Sequence, residues 1–415
     1  MELIQMSRKI LLCSFLGLGV FATHSTAHAD LLAITTDFGI TATRDHSNLV
    51  SDVNEVTFGD GVDVRAKINS LNELCYGTSI NAAADVRQIT NITNGCCGAT
   101  FGPPPGTITA IGVAEGNHFV LGGDDGQVFV RDRTALGATA PGVSGDGTVF
   151  NTRVNAIARL SNGHLVIGNQ NGEIFVRDKA DITQVAPGAS ADAVNFGIAI
   201  TSLAVTTNDN VVIALSGGGI DTRPWTNVAA SHSSVNFGIA GAANVAIRSD
   251  GNAALGFGDG TVTMRDPLNL MADTWNSVVF GTAITALAVD KDDNFVIGRS
   301  SGHINIRDAA NVAATPAGFL GDDINFGFAI LSLNFAASAA EPEFKSITRG
   351  FTPDKVIIQW TSESGRKYTV KQNTSLGSGG YGVVTSGLSA TPPSNVYTAE
   401  ASAARAAYRV ISDPE

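Results

Sequence analysis

The side chains of this chain that could carry chemistry are scattered histidines, aspartate-rich turns, a few cysteines and a regularly spaced series of arginines. General acid–base catalysis needs a His, or paired carboxylates, converging on one pocket. Past the first 29 residues the histidines are His46, His118, His164, His232 and His303, and no two lie in a shared motif. His118 and His164 occupy matching places in two copies of a repeated phrase, which marks them as surface residues flanking a turn rather than catalysts. "DKDDN" at Asp290 to Asn294 and "GGDDG" at Gly122 to Gly126 offer oxygen ligands for calcium. Neither has the spaced ligands and distal Glu of a calcium-binding helix–loop–helix, and Asp and Asn are favoured in hairpin turns for local backbone reasons. The sequence calls for no metal and no cofactor. It also lacks a Gly-x-Ser-x-Gly elbow, a His-Glu-x-x-His helix and a phosphate loop, so no catalytic residue is assigned.

Cys75, Cys96 and Cys97 are the cysteines left if a leader is removed. Pairing Cys75 with either neighbour closes a loop of about 20 residues and would contribute about 3 kcal/mol. That argument puts a Cys75 bridge first. Strand spacing counts against it, because Cys75 falls on one strand and the pair beyond the next but one. The alternative is a vicinal Cys96–Cys97 bridge. Two tryptophans, Trp225 and Trp275, interrupt the repeated pattern and are candidates for stacking on a sugar ring or anchoring a partner, or equally for plugging a gap between blades.

These residues are positioned by a repeat. "ITALAVDKDDNFVIGRSSGHINIRD" at Ile284 to Asp308 returns as "ITAIGVAEGNHFVLGGDDGQVFVRD" from Ile108 and "VNAIARLSNGHLVIGNQNGEIFVRD" from Val154, with further copies from Ile200 and Ala243. Each copy reads as strand a, a polar turn, strand b, a Gly-containing turn, and strand c ending on Arg. A variable loop and a short strand d ending in Phe follow. Asp125-Gly126, Asn171-Gly172 and Asp259-Gly260 are dipeptides that take the positive φ of tight hairpin turns. The Arg recurs as Arg44, Arg87, Arg131, Arg177, Arg223, Arg265 and Arg307, and the Phe as Phe58, Phe101, Phe150, Phe196, Phe237, Phe280 and Phe326. Four antiparallel strands in a period of 42 to 46 residues, repeated seven times, predict an all-β, seven-bladed β-propeller. An equivalent Arg in every copy is expected to tie each blade to its neighbour through hydrogen bonds, not to form an anion-binding ring.

The ends complete the pattern. "LLAITTDFGITATRD" at Leu31 to Asp45 matches strands b and c without a strand a, and "ILSLNF" at Ile330 to Phe335 is a strand a without its b. The expectation is a composite blade that closes the ring and removes exposed sheet edges. With Arg-Asp where Trp-Asp is usual, and no Gly-His element, the phrases resemble the WD40 repeat family over about Leu31 to Phe335. The resemblance implies a propeller used as an interaction platform. "SGDGTVF" at Ser144 to Phe150 is similar to the Asp-box of sialidases, but its Gly falls one place early and it occurs once.

Residues 337–343 read as a linker, after which "KVIIQW", "KYTVKQ", "NVYTAE" and "AAYRVI" alternate as short strands. With Trp360, Gly365, Tyr368 and Tyr408-Arg409-Val410, residues 344–415 resemble the small C-terminal fibronectin type III-like β-sandwiches of secreted bacterial proteins. Trp360 and Tyr408 are expected in its core. At the other end Arg8 and Lys9, the apolar run Ile10 to Ala22 and Ala27-His28-Ala29 predict a signal peptide over 1–29, leaving 30–336 as the propeller. The expected location is secreted, periplasmic or cell-envelope associated, with no membrane span.

The formal charge is −12, and loss of Glu2, Arg8 and Lys9 takes it to −13. Such a surface gives no counterion-release drive toward nucleic acid. The functional expectation is a monomeric, exported, non-catalytic binding or scaffolding protein whose partner is a protein or a glycan. The alternative is a secreted carbohydrate-active hydrolase or lyase on the same scaffold. The C-terminal module is expected to hang from the face or rim made by the a–b hairpins, leaving free the face of b–c turns and d–a connections. On that free face Asp60 and Asp63, in the elaborate connection from Gly59 to Lys67, join Asp124 and Asp125 as candidate contacts. The second elaborate connection is "GPPPGT" from Gly102.

Overall fold

The computed structural model describes residues 31–57, 63–79, 82–101, 106–239, 241, 244–273, 277–335, 344–349, 355–361, 367–373, 382–389, 391, 394–400 and 407–413. Residues 1–30, where a signal peptide is expected, Phe58, Asp60, the proline run after Gly102, Trp275 and the expected linker at 337–343 lie outside them. The chain divides into two compact units, one of Ala29–Ala337 and one whose described part is the strands from Phe344 to Asp413.

The first unit is a seven-bladed β-propeller. Its innermost strands, each a strand a, are Val64–Ile68, Ile108–Val113, Val154–Arg159, Ile200–Val205, Asn244–Ile247, Ile284–Val289 and Ile330–Phe335. Each touches the next, and Ile330–Phe335 returns to Val64–Ile68, so the ring is closed. We number the blades by the order of their Arg. In blade 4, Val154–Arg159, Leu165–Asn169, Glu173–Arg177 and Ala193–Asn195 pair in that order, all antiparallel. In blade 1, Asn48–Thr57, Ile40–Asp45 and Leu31–Thr36 are joined by Ile330–Phe335, with Leu32 opposite Phe335 and Ile34 opposite Leu333.

Burial follows position in the blade. Leu165–Asn169 is buried at every residue, because a strand b lies between its blade's other strands and between two neighbouring blades. Glu173–Arg177 alternates buried and half-buried residues, as expected of a strand with one face toward a neighbour. Between blades the fit is a side chain in a glycine slot: a Cβ on Gly168 would stand 2.7 Å from Ile200 Cγ2 of the next blade. Gly122 faces Val154, Gly256 faces Ile284 and Gly298 faces Ile330 in the same way.

Blades 2, 3 and 6 differ from the single short strand d expected. There the variable loop itself pairs with strand c, as Asn91–Gly95, Ala135–Thr139 and Asn269–Asp273, before a second short strand. A register shift at Arg87/Gln88, Arg131/Asp132 or Arg265/Asp266 turns the chain back along strand c.

The second unit holds two three-stranded antiparallel sheets, ordered Phe344–Arg349, Lys355–Thr361, Ser394–Glu400 and Gly382–Ser389, Lys367–Asn373, Ala407–Asp413. Val356, Ile358 and Trp360 of one sheet and Tyr368, Val370 and Val410 of the other form one buried cluster. Trp360 and Tyr368 meet edge to face at 5.8 Å. The side chain of Tyr408 lies outside the described residues.

Candidate functional site

The repeated arginines are structural, but not in the way expected. Their charged hydrogen bonds run within a blade: Arg131 to Asp146 at 2.8 Å, Arg177 to Asp192 at 3.3 Å and Arg307 to Asp322 at 2.7 Å, each Asp lying just before strand d. Arg223 and Arg87 instead take Asp221 and Asp85, two residues back on their own strand, at 3.0 Å each. The tie to the neighbour is aromatic. Apart from Arg87, which lies over Tyr76 of its own blade at 5.0 Å, the guanidiniums lie over the Phe that ends strand d of the preceding blade: Arg131 on Phe101 at 5.1 Å, Arg177 on Phe150 at 5.5 Å, Arg223 on Phe196 at 4.8 Å, Arg265 on Phe237 at 5.2 Å, Arg307 on Phe280 at 5.1 Å and Arg44 on Phe326 at 5.1 Å. A shielded contact of this kind contributes about 1–2 kcal/mol. Burial pushes the pKa of Arg44 and Arg177 below the ordinary arginine value, opposed by Glu55 and Asp192.

The histidines and acidic turns are also consumed by the scaffold. His118 Nδ1 and His164 Nδ1 accept the backbone N–H of Arg133 and Lys179 at 3.3 and 3.2 Å, amides just beyond strand c of their own blades. His164 is buried, so the expectation of a surface residue fails for it. His46, also buried, lies 3.2 Å from Asp290 Oδ2, between the rings of Phe319 and Phe335. Asp290 further accepts the N–H groups of Asp292 and Asn294 at 2.8 and 2.7 Å and the Asn294 amide at 2.9 Å. That carboxylate has no room for calcium. Asp124 Oδ1 accepts Thr107 N at 3.0 Å, and Asp125 accepts Gln127 N and Nε2 at 2.9 and 2.8 Å. Asp146, in the Asp-box-like stretch, accepts Val130 N at 2.8 Å besides pairing with Arg131.

The cysteines correct the first expectation. Cys96 and Cys97 form the disulfide, and Cys75 is a free, buried thiol. Cys75 pairs across the sheet with Val86, and Cys96 N donates to Val86 O, so strand c stands between Cys75 and the bridge. Burial, reinforced by the negative charge of Asp85, raises the Cys75 thiol pKa far above its ordinary value. Trp225, in the turn after strand c, is half-buried and fills the gap between blades rather than being presented to solvent: it packs on the core between blades 4 and 5, 5.9 Å from the His164 ring.

Two other residues stand out because they break the repeat where the strands line the central channel. Arg65 sits where the other copies carry Ala110, Ala156, Ser202, Asn244, Ala286 and Ser332. It lies on the b–c side of the channel, where Asp63, an exposed residue of that face, holds the d–a connection through its N–H to Ser79 Oγ at 2.9 Å. Desolvation and the like charge of Arg153 lower the Arg65 pKa, with Asp63 opposing. Arg153 is exposed and immediately precedes strand a of blade 4. The sequence signal for this pair was the departure of Arg65 from the repeat at a channel position. Asp63, a candidate contact in the sequence, neighbours this pair.

No family profile and no curated protein matches this chain. Among solved structures, the computationally designed Ika8 protein is 18% identical over 80% of this chain and 94% of its own, with a TM-score of 0.51. The WD40 β-propeller domain of Doa1 is 12% identical over 67% of this chain and 88% of its own, with a TM-score of 0.50. These likenesses show the β-propeller fold, and the seven blades are those seen in the strand order of this chain. Among the described residues no helix is long and apolar enough to cross a membrane, and no group of three or more His, Cys, Asp or Glu is placed to hold a metal ion.

Proposed function

We propose that the protein is an exported, non-catalytic binding or scaffolding protein, and that the b–c face of the ring engages acidic groups on a protein or glycan. The observation that carries this reading is Arg65, a cation on the channel-facing strand of blade 2 where the other copies carry Ala, Ser or Asn, with the like charge of Arg153 near it at one channel mouth of a chain with net charge −12. Cations held together without a full complement of acids favour an anionic partner. The repeated side chains are already spent on holding the blades, which leaves specificity to the positions where the copies differ.

In this reading blade 1 acts as the closure of the ring, since strands from both chain ends share one sheet and removal of either would open an edge. The C-terminal unit serves as a fibronectin type III-like spacer or attachment module, and residues 1–29 direct export. Pull-down from cell-envelope extract, together with an array of neutral and uronic-acid glycans, tests the partner. Arg65→Ser with Arg153→Ser is expected to lower retention at least tenfold, and retention unchanged by the double variant would defeat the assignment to this face. Amino-terminal sequencing of the exported protein should begin at Asp30.

A further inference from the structure

The opposite mouth of the channel has a different character. There the ends of the seven strands a and the a–b turns enclose a cavity of about 550 Å³, within the range that holds a small ligand. One arc is polar, with Lys67, Asn117, Arg159 and Asn334, and the other is apolar, with Leu203, Val205, Ile247, Leu287, Val289 and Phe335. No carboxylate lines the cavity among the described residues.

Lys67 is the decisive side chain. Gly112, Ala158, Ala204, Ala246, Ala288 and Asn334 take its place in the other blades, so one copy alone puts an ammonium into the channel. Its neighbours in sequence, Ala66 and Ile68, turn into the core, while Lys67 itself is exposed to the channel. It makes no hydrogen bond or ion pair with any described residue. The surrounding ring strips water from the ammonium and lowers its pKa. The polar groups beside it are occupied: Asn334 Nδ2 donates to Ala66 O at 2.9 Å, and Ser70 Oγ donates to Asn117 Oδ1 at 2.6 Å. Arg159 spends one donor, on Ala114 O at 3.0 Å. The nearby Glu115 is held by Lys179 at 2.7 Å. An unpaired cation facing an apolar wall is complementary to a molecule with the opposite two ends.

We propose that this a–b mouth binds a small amphipathic anion, with a carboxylate on Lys67 and Arg159 and an aliphatic or aromatic body on the Leu203–Leu287 wall. The inference does not rest on the function proposed for the other face, since it uses other residues and another ligand class.

Calorimetric titration of the full chain with octanoate, octanol and octylammonium tests it. Octanoate is expected to bind at least tenfold tighter than octanol, and octylammonium not to bind. Lys67→Met, which keeps the stem and removes the charge, is expected to lower octanoate affinity at least tenfold, and Lys67→Arg to retain most of it. Without ligand, Lys67→Met should melt no lower than the parent, because it removes a desolvated charge. If Lys67→Met does not fold, Ala246→Glu puts a carboxylate at the equivalent position of blade 6 and is expected to abolish octanoate binding. Octanol binding as well as octanoate, or octanoate affinity unmoved in these variants, overturns the proposal. Loss of partner retention in Arg65→Ser/Arg153→Ser with octanoate binding intact would show the two mouths to be separate sites.

Discussion

Blade 4 and blade 2 follow one plan with different means. In blade 4 the b–c turn is Asn171-Gly172, and Gly172 has φ +85° beneath the backbone of Ile198. Its Arg177 reaches an Asp beyond strand c and lies on the Phe of blade 3. In blade 2 the turn residue at the corresponding place is Ala82, held at φ +44°. Arg87 turns back to Asp85, which also accepts the Tyr76 hydroxyl at 2.9 Å and the N–H groups of Val86 and Cys97 at 2.9 and 3.3 Å. The disulfide lies beside this carboxylate. Where the repeat has eroded, a private hydrogen-bond network and a covalent link stand in for the shared contacts.

The largest effect is expected at the blade 4 turn. Gly172→Val forces a β-branched side chain to positive φ, with its Cβ 2.4 Å from Ile198 O, and should cost about 3 kcal/mol or more in urea unfolding. Next, Asp85→Asn removes a charge serving four donors and should cost about 2 kcal/mol, against about 1 kcal/mol or less for Asp192→Asn. Equal losses in the two blades would erase the distinction. Ala82→Gly works the other way: relief of the left-handed strain should stabilise blade 2 by about 0.5 kcal/mol.

Acid should discriminate between blades more gently. Burial alone would raise the Asp322 pKa, but Arg307, the Thr315 hydroxyl and the Ile306 N–H together hold it below the ordinary carboxylate value. Its contribution is therefore complete above about pH 4, the unfolded value, and is lost as pH falls through the lower folded value. Asp322→Asn should flatten that part of the stability profile. The smallest effect belongs to the disulfide. A bridge between adjacent residues closes almost no chain, so reduction should shift the melting temperature little. Mass spectrometry after reduction and alkylation under native conditions should label Cys96 and Cys97, with Cys75 modified only on unfolding.

The repeat made the propeller legible, because an Arg and a Phe recurring at one period fix strand ends even in blades whose turns have drifted. The partners of those arginines were not legible. An Asp two residues back on the strand and one 15 residues onward can both reach such an Arg, and the path of the folded loop decides between them. The split strand d was hidden because a register shift leaves no composition signal. Acids and tryptophans are the residues that stand out in the sequence as candidates, whereas the residues that depart from the repeat at the channel, Arg65 and Lys67, are basic. Asp60 and Trp275 lie outside the described residues.

The a–b turns hold one more regularity. Ser70 N and Oγ donate to Asn117 Oδ1, Ser161 to the Asp209 carboxylate and Ser249 to that of Asp293, joining blades 2 with 3, 4 with 5, and 6 with 7. These latches, unlike the Arg–Phe contacts and the Arg159–Ala114 and Lys179–Glu115 ties that also join blade 3 to blade 4, take the blades two by two, and seven is odd. The blade left without a mate is blade 1, whose strands a and b come from opposite ends of the chain and so have no turn to latch. Parity locates the seam: a ring gaining or losing a couple keeps its latches in phase, and one gaining a single blade does not.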